Sequence, residues 1–239
     1  MPITNPEKLT MTSCVIIFAK NPLPNQVKTR LLPYISAEQA ASLYRAFLID
    51  WCETLSQIAT SDRIVAYTPF DSFNQLQTLI GENVIYIPQV GSGLGERLTS
   101  ACRWACNRGY EKILMVGSDS PTLPVQYLNQ ALKLLQFRDI VIGPSTDGGY
   151  YLIGFSKVGA NQIIPSIFTD VEWSSNHVLR QTLEKVELAG TRLGLLPPWY
   201  DVDTPTELQF LRDHLFAMQL AEHDSPAPQT AHKLAEFVS

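Results

Sequence analysis

A lone carboxylate closing an apolar run is the strongest chemical signal in the chain. Lys112-Ile113-Leu114-Met115-Val116 leads into Gly117-Ser118-Asp119-Ser120-Pro121-Thr122-Leu123-Pro124. The run has the length and apolar character of a buried strand, and in open α/β sheets ligands gather beyond the carboxyl ends of the strands. A carboxylate there can hold Mg²⁺ or Mn²⁺ while the metal grips phosphate oxygens. Asp, Ser and Pro are also ordinary turn residues, so Asp119 alone fits a turn or a cap equally well.

Three other segments add groups of matching chemistry. Residues 19–31, AKNPLPNQVKTRL, carry Lys20, Lys28 and Arg30 in a stretch stiffened by Pro22 and Pro24. Arginine offers phosphate a planar two-pronged contact and lysine a point charge. The stretch has neither the G-x-x-x-x-G-K pattern of a Walker A loop nor the glycines of a dinucleotide fingerprint, so any phosphate binding rests on side chains. A solvated basic loop is the competing reading. Gly91-Ser92-Gly93-Leu94-Gly95-Glu96-Arg97 has closely spaced glycines that let backbone amides approach a ligand, making Gly95 and Arg97 further phosphate candidates. A flexible connection, with Arg97 pairing on a helix surface, explains the same residues.

GPSTDGGYYLIG, residues 143–154, sets Asp147 among turn residues. As a catalytic group Asp147 would orient or deprotonate an acceptor hydroxyl, with Gly148 and Gly149 leaving room; a tight turn accounts for Asp147-Gly148 by itself. In WYDVDTPTEL, residues 199–208, Asp201 and Asp203 share one side of an extended segment. Asp203, directly before a helix start, is the better second carboxylate for a metal. Both aspartates also suit a helix N-terminus, an effect worth about 0.3–1 kcal/mol at an exposed site.

Positioning these groups requires an alternating β/α chain. Strands are predicted at 14–19, 63–68, 84–87, 112–117, 139–143, 150–155 and 191–196. Helices are predicted over 37–58, near 72–80, 95–108, 124–136 and 175–189, and over 205–222. Ser36 with Gln39 forms a capping-box pattern, Thr204-Pro205-Thr206-Glu207 forms a second with proline at the first helical position, and Gly109 and Gly190 fall where C-terminal caps belong. Only six residues, 144–149, separate two of the strands, too few for a crossover helix, so an antiparallel element must interrupt the parallel sheet. The expectation is a three-layer α/β sandwich, a mostly parallel mixed sheet with helices on both faces, forming one domain over residues 1–222 and followed by a loose polar tail at 223–239 with one final helical turn.

Composition bounds the rest. With 239 residues, 45% hydrophobic and 17% charged, the chain suits one sizeable core. A net charge of −5 argues against a broad nucleic-acid footprint, and no apolar run approaches the roughly 20 residues of a membrane span. Met1 to Thr10 lack the apolar core of a signal peptide, and Cys14, Cys52, Cys102 and Cys106 have no C-x-x-C spacing; together these predict a cytoplasmic protein with reduced thiols. His177, His214, His223 and His232 form no zinc-like cluster.

AKNPLPNQVKTRL, LGER, GSDSPTLP, TDGGYYLIG and DVDTPTEL, in this order over roughly residues 14–210, resemble the nucleotide-diphospho-sugar transferase superfamily with the GT-A fold. Within it the chain is similar to a small bacterial glycosyltransferase-like family found beside radical-enzyme and selenium-related genes. The resemblance implies a nucleotide held by the N-terminal half, a divalent metal at Asp119, and an acceptor region in the C-terminal half. The chain also resembles nucleotidyltransferases of the phospholactate guanylyltransferase and molybdopterin types, in which an aspartate after the central strand and another in a D-T-P-like motif share the metal, here Asp119 and Asp203.

Two departures keep the reaction open. Glycosyltransferases of this fold usually carry D-x-D at the central strand, where this chain has Ser118-Asp119-Ser120; nucleotidyltransferases often have a glycine-rich first loop, where this chain has prolines. The expectation is a metal-dependent glycosyltransferase using a nucleotide-sugar donor, Mg²⁺ or Mn²⁺ on Asp119 and Asp203, and an acceptor still to be defined. Nucleotidyl transfer from a nucleoside triphosphate, with release of pyrophosphate, is the alternative reaction, and a non-catalytic nucleotide-binding domain the further one.

Overall fold

The structure, a computed structural model, describes residues 12–164 and 166–237. The reading of Met1 to Thr10 as lacking an export signal lies outside the described residues. The chain order is β1 (Ser13–Lys20), α1 (Ala37–Ser56), β2 (Asp62–Thr68), α2 (Phe73–Ile80), β3 (Ile85–Pro88), α3 (Leu94–Asn107), β4 (Lys112–Gly117), α4 (Val125–Leu134), β5 (Ile140–Pro144), β6 (Tyr150–Ser156), α5 (Lys157–Ile163), α6 (Val178–Leu188), β7 (Leu193–Leu195), α7 (Pro205–Leu220) and α8 (Pro228–Glu236).

The seven strands form one sheet in the order β3-β2-β1-β4-β6-β5-β7. β1 pairs in parallel with β2 and β4, β2 with β3, and β5 with β7. β6 returns through the short 145–149 turn and inserts between β4 and β5, antiparallel to both. The antiparallel element expected from the short connection is therefore present, and it makes the sheet mixed. β1 and β4 lie at the centre and point the same way, so the segments that follow Lys20 and Gly117 leave the sheet side by side, with Phe18 opposite Gly117.

Helices cover both faces, because alternate residues of the central strands are apolar on each side. Val15, Ile17, Leu114 and Val116 join Leu43, Phe47, Trp51, Leu128, Leu208 and Leu211 in one core layer. Cys14, Ile16, Ile113 and Met115 join Leu98, Cys102, Ile163 and Val186 in the other. Both predicted capping boxes are made: Ser36 accepts from Gln39 N at α1, and Thr204 from Glu207 N at α7. Gly109 and Gly190 follow α3 and α6 with φ of 89° and 62°, as C-terminal cap glycines do. All four cysteines are free, and among the described residues no helix is long and apolar enough to cross a membrane.

Several elements are shorter than expected: α1 stops at Ser56, β7 spans only Leu193–Leu195 and α7 stops at Leu220. The larger correction concerns the expected loose tail. Pro228–Glu236 is a nine-residue helix docked on α1, with Thr230 and Leu234 buried. Its start is held by Asp50, a fully buried carboxylate in mid-α1 that accepts from Gln229 N (2.9 Å), Thr230 N (2.8 Å) and Thr230 Oγ1 (2.6 Å). Asp50→Ala strips three donors at a helix N-terminus of their acceptor and is expected to cost about 2–3 kcal/mol. For a chain of this size that lowers Tm by roughly 5–10 °C. Unchanged melting would show that α8 contributes nothing to the fold.

Candidate active site

The site is built where the loops after β1 and β4 meet the segment before α7. After β1 the chain is pinned at once: Asn21 N donates to Thr68 O (2.8 Å), Leu23 N to Asn21 O (2.8 Å), and Gln26 N to Leu23 O (3.1 Å). The loop then turns through Asn25 and Lys28, both left-handed with φ of 62° and 48°. Asparagine tolerates that conformation; a lysine seldom adopts it, and does so where the surroundings over-determine it.

Those surroundings are three protein oxygens. The Lys28 ammonium donates to Asp119 Oδ1, to the Val202 carbonyl (2.8 Å) and to Asp203 Oδ1 (3.0 Å). Its Nζ lies over two aromatic rings of α1, 5.2 Å from the Phe47 centroid and 5.8 Å from that of Tyr44. The Lys28 side chain is 2% exposed, whereas Asp119 and Asp203 are 40% and 37% exposed. Asp119 also ties the segments through its backbone, accepting from Val202 N at 2.9 Å. Burial by itself would lower the Lys28 pKa; the charges and hydrogen bonds of Asp119 and Asp203 outweigh it and raise the pKa. Burial likewise pushes Asp203 up, but Lys28, then Arg30 and Lys20, hold it below the usual carboxylate range.

Arg30 stands on the solvent side, 60% exposed, with Nη1 3.8 Å from Asp203 Oδ2. Lys20 is exposed at the end of β1. Lys28, Arg30, Asp119 and Asp203, read from three separate segments, thus form one cluster. Among the described residues there is no group of three His, Cys, Asp or Glu side chains placed to cage a metal. A pair of carboxylates, each with one oxygen engaged by Lys28, is a hard-oxygen donor set that suits Mg²⁺ or Mn²⁺ when phosphate and water complete the shell.

Two supports acquire their roles only in the fold, and the first, Tyr44, escapes inspection of the sequence. Tyr44 OH accepts from Lys20 N (3.1 Å) and shares a hydrogen bond with Ser118 Oγ (2.7 Å), joining α1 to both strand ends. Burial, aided by the nearby Asp119 charge, pushes its phenol up to about 12. Asp201 accepts from Ser120 Oγ and from Ser145 Oγ (2.8 Å), bridging the segments after β4 and β5. Burial pushes its carboxyl up to about 6; the two serines oppose that, while Asp119 and Asp147 add to it. The period-two spacing of Asp201 and Asp203 is visible in the sequence, but their division of labour depends on which strand ends they meet.

The remaining candidates have structural partners of their own. Asp147 Oδ1 accepts from Gly149 N (2.9 Å), closing its own turn within electrostatic reach of Asp201. Gly95 is buried in the first turn of α3; a Cβ there would stand 2.5 Å from Phe168 O and 3.0 Å from Trp173 Nε1, so close packing requires this glycine. Arg97 Nε donates to Gly91 O (3.1 Å), and Glu96 accepts from Ser92 N (2.7 Å) and Oγ (2.8 Å), which closes residues 91–97 on themselves. Just upstream of this loop, Gln89 Nε2 donates to Ala19 O (3.2 Å) and Ala66 O (2.8 Å) near the ends of β1 and β2.

Comparison with known proteins bears on the chemistry. The family model described as "Uncharacterized protein conserved in bacteria (DUF2064)" matches residues 52–175, which include Asp119 and Asp147. A 3-phospho-D-glycerate guanylyltransferase of Phenylobacterium zucineum (strain HLK1) is 30% identical over 130 residues, 53% of this chain and 59% of that protein. The chain therefore spans somewhat more than half the length of that curated relative. A solved structure from Desulfovibrio desulfuricans G20, described as a "putative nucleotide-diphospho-sugar transferase", is 34% identical, with 95% of each chain covered and a TM-score of 0.85. A cytidylyltransferase from Leptospira borgpetersenii serovar Hardjo-bovis (strain JB197) shares the fold, with a TM-score of 0.59 over 92% of each chain at 12% identity.

Proposed function

The chain belongs to the DUF2064 family and is a transferase of the nucleotide-diphospho-sugar transferase superfamily, and we propose that the group it transfers is a nucleotidyl group. The observation that carries this reading is the union of Lys28, Arg30, Asp119 and Asp203 at the carboxyl ends of the two central strands. Cations and paired carboxylates at that edge are what a triphosphate needs, and similarity to a guanylyltransferase supports nucleotidyl over glycosyl transfer. The single carboxylate in Ser118-Asp119-Ser120, where D-x-D is usual for glycosyl transfer, points the same way. Glycosyl transfer, the first expectation from the motifs, becomes the second reading, supported by the description of the Desulfovibrio structure.

In the proposed reaction an oxygen of a phosphorylated acceptor attacks the α-phosphorus of a nucleoside triphosphate. The new P–O bond forms as the bond to the bridging β-phosphate oxygen breaks, and pyrophosphate leaves. Arg30 and Lys20, both exposed, would neutralise the triphosphate. Asp119 and Asp203 would hold Mg²⁺ or Mn²⁺; when bound, such an ion offsets the charge that grows on the phosphate oxygens. Asp201 keeps the segments after β4 and β5 in register beneath them. The guanylyltransferase relative makes GTP the first triphosphate to test, and a small phosphorylated carboxylic acid such as 3-phospho-D-glycerate the first acceptor.

Asp147, at the tip of the β5–β6 turn, would orient the acceptor. Asp147→Asn preserves the turn's acceptor oxygen, so a turn-only role leaves kcat unchanged, whereas acceptor orientation by the carboxylate lowers it by about 100-fold. Steady-state kinetics on a variant of normal Tm separates the two. The function itself is tested by thermal shifts with nucleoside triphosphates, diphosphates and nucleotide sugars, with and without Mg²⁺ or Mn²⁺. Ligand at about 100 times its Kd adds roughly 2.7 kcal/mol of stability, a readily measured rise in Tm. Metal-dependent stabilisation by a triphosphate supports nucleotidyl transfer; a response confined to nucleotide sugars restores the glycosyl reading.

A further inference from the structure

We infer that Lys28 is the internal counter-cation of the Asp119/Asp203 pair and that it ties divalent-metal binding to the arrival of nucleotide phosphates. The inference rests on the proposed nucleotidyl site and adds its order of assembly. Without ligand, Asp119 and Asp203 face the Lys28 ammonium, hydrogen-bonded to one oxygen of each, and the Arg30 guanidinium, 3.8 Å from Asp203, while Lys20 acts on Asp203 from further out and Asp201 stands within electrostatic reach of Asp119. With three cations against three carboxylates the cluster carries little net charge, so a divalent ion approaching it finds weak attraction and a buried positive charge directly behind both of its ligands. Triphosphate changes that balance, because it brings several negative charges and can draw away the exposed Arg30.

Lys28 and Arg30 differ in how freely they can respond. Arg30 is 60% exposed and can turn toward phosphate. Lys28 is 2% exposed, lies against the rings of Phe47 and Tyr44, and donates to the Val202 carbonyl as well as to both carboxylates. Its left-handed backbone, with φ of 48°, is held by the same contacts. This geometry suits a fixed charge beneath the carboxylates better than a mobile phosphate ligand. It also differs from the first expectation for Lys28, drawn from its place in a basic loop, that it contacts phosphate directly.

The test is Mn²⁺ binding to the full-length protein without nucleotide, followed by electron paramagnetic resonance of the free ion. Lys28→Met removes the charge; Lys28→Gln removes it while keeping a donor for the Val202 carbonyl, so that one variant serves if the other melts abnormally. Wild type is expected to bind Mn²⁺ weakly, and either variant at least about tenfold more tightly, since a positive charge near the ion has been deleted. Adding Asp119→Asn to the Lys28→Met chain should abolish the gain, which locates the ion at these carboxylates. Equal or weaker Mn²⁺ binding by well-folded Lys28 variants overturns the inference, as does tight binding by wild type alone.

Pyrophosphate release by wild type reads the underlying reaction separately. Turnover with no gain in the variants removes only the counter-cation role; a gain in the variants with no turnover on any triphosphate removes the nucleotidyl reading and leaves the counter-cation in place.

Discussion

Asp119→Asn is expected to lower kcat/KM for nucleotidyl transfer by about 10³-fold, roughly 4 kcal/mol of transition-state stabilisation. The substitution keeps size and shape but removes one of two carboxylates available to a metal, at the end of a central strand where the phosphates would lie. Its structural cost should be modest. Lys28 keeps Asp203 and the Val202 carbonyl as partners, and the backbone bond from Val202 N to Asp119 O is untouched. Because Lys28 is 2% exposed but keeps a second carboxylate, removing one charge is expected to cost about 1–3 kcal/mol, or roughly 2–12 °C in Tm. The diagnostic result is therefore a large loss of turnover in a variant that still melts as a folded protein. Retention of more than a tenth of wild-type kcat/KM would place the reaction elsewhere.

Gly148→Ala is expected to produce the largest loss of stability among substitutions near the site. Gly148 has φ of 91°, which an alanine adopts only with strain, and its missing Cβ would stand 2.4 Å from Asn176 O and 2.7 Å from Asn176 Cα. These obstacles are backbone atoms, and Gly148 is held in place by hydrogen bonds on both sides. Its carbonyl accepts from Leu179 N at 2.9 Å and its amide donates to Ser145 O at 3.3 Å. Strain and overpacking together give about 3–4 kcal/mol, which lowers Tm by roughly 6–15 °C.

Activity should fall as well, because any shift of the turn carries Asp147 with it. Gly149→Ala is the control: its nearest neighbour is the flexible Asp147 carboxylate at 3.2 Å and its φ is not positive, so the cost should stay below about 1 kcal/mol. Equal melting of the two variants would contradict this account of the turn.

Much of the candidate site is legible in the sequence because its groups lie at element boundaries. Asp119 lies just beyond β4, Asp203 precedes the capped start of α7, and Lys28 follows β1; parallel central strands bring those three boundaries to one edge. The inserted antiparallel strand was similarly readable, since a connection of six residues leaves no room for a crossover helix. What local pattern does not carry is burial of charge. Nothing around Lys28 distinguishes it from the exposed Lys20 and Arg30 until α1 supplies Phe47 and Tyr44 beneath it.

The same limit applies to Asp50 and α8: a polar, proline-containing tail reads as loose unless a buried carboxylate elsewhere in the chain is known to cap it. Gly95 shows the converse. Its spacing suggests a ligand loop, but the atoms pressing on its Cα come from Phe168 and Trp173, more than seventy positions along the chain. Asp201 could be noticed from spacing, yet its bridge from Ser120 to Ser145 exists only once β4 and β5 are placed on either side of β6.

The most direct test of nucleotidyl transfer follows the phosphorus atoms. The protein is incubated with Mg²⁺ and GTP labelled at the α- or the γ-phosphorus, together with small phosphorylated carboxylic acids offered one at a time. The γ label should be recovered as pyrophosphate and the α label, in equal amount, in a new nucleotidylated compound, with neither formed by Asp119→Asn. If no triphosphate yields pyrophosphate, and a nucleotide sugar instead loses its sugar to an acceptor with release of the nucleoside diphosphate, the chain is a glycosyltransferase and the account given for this site is wrong.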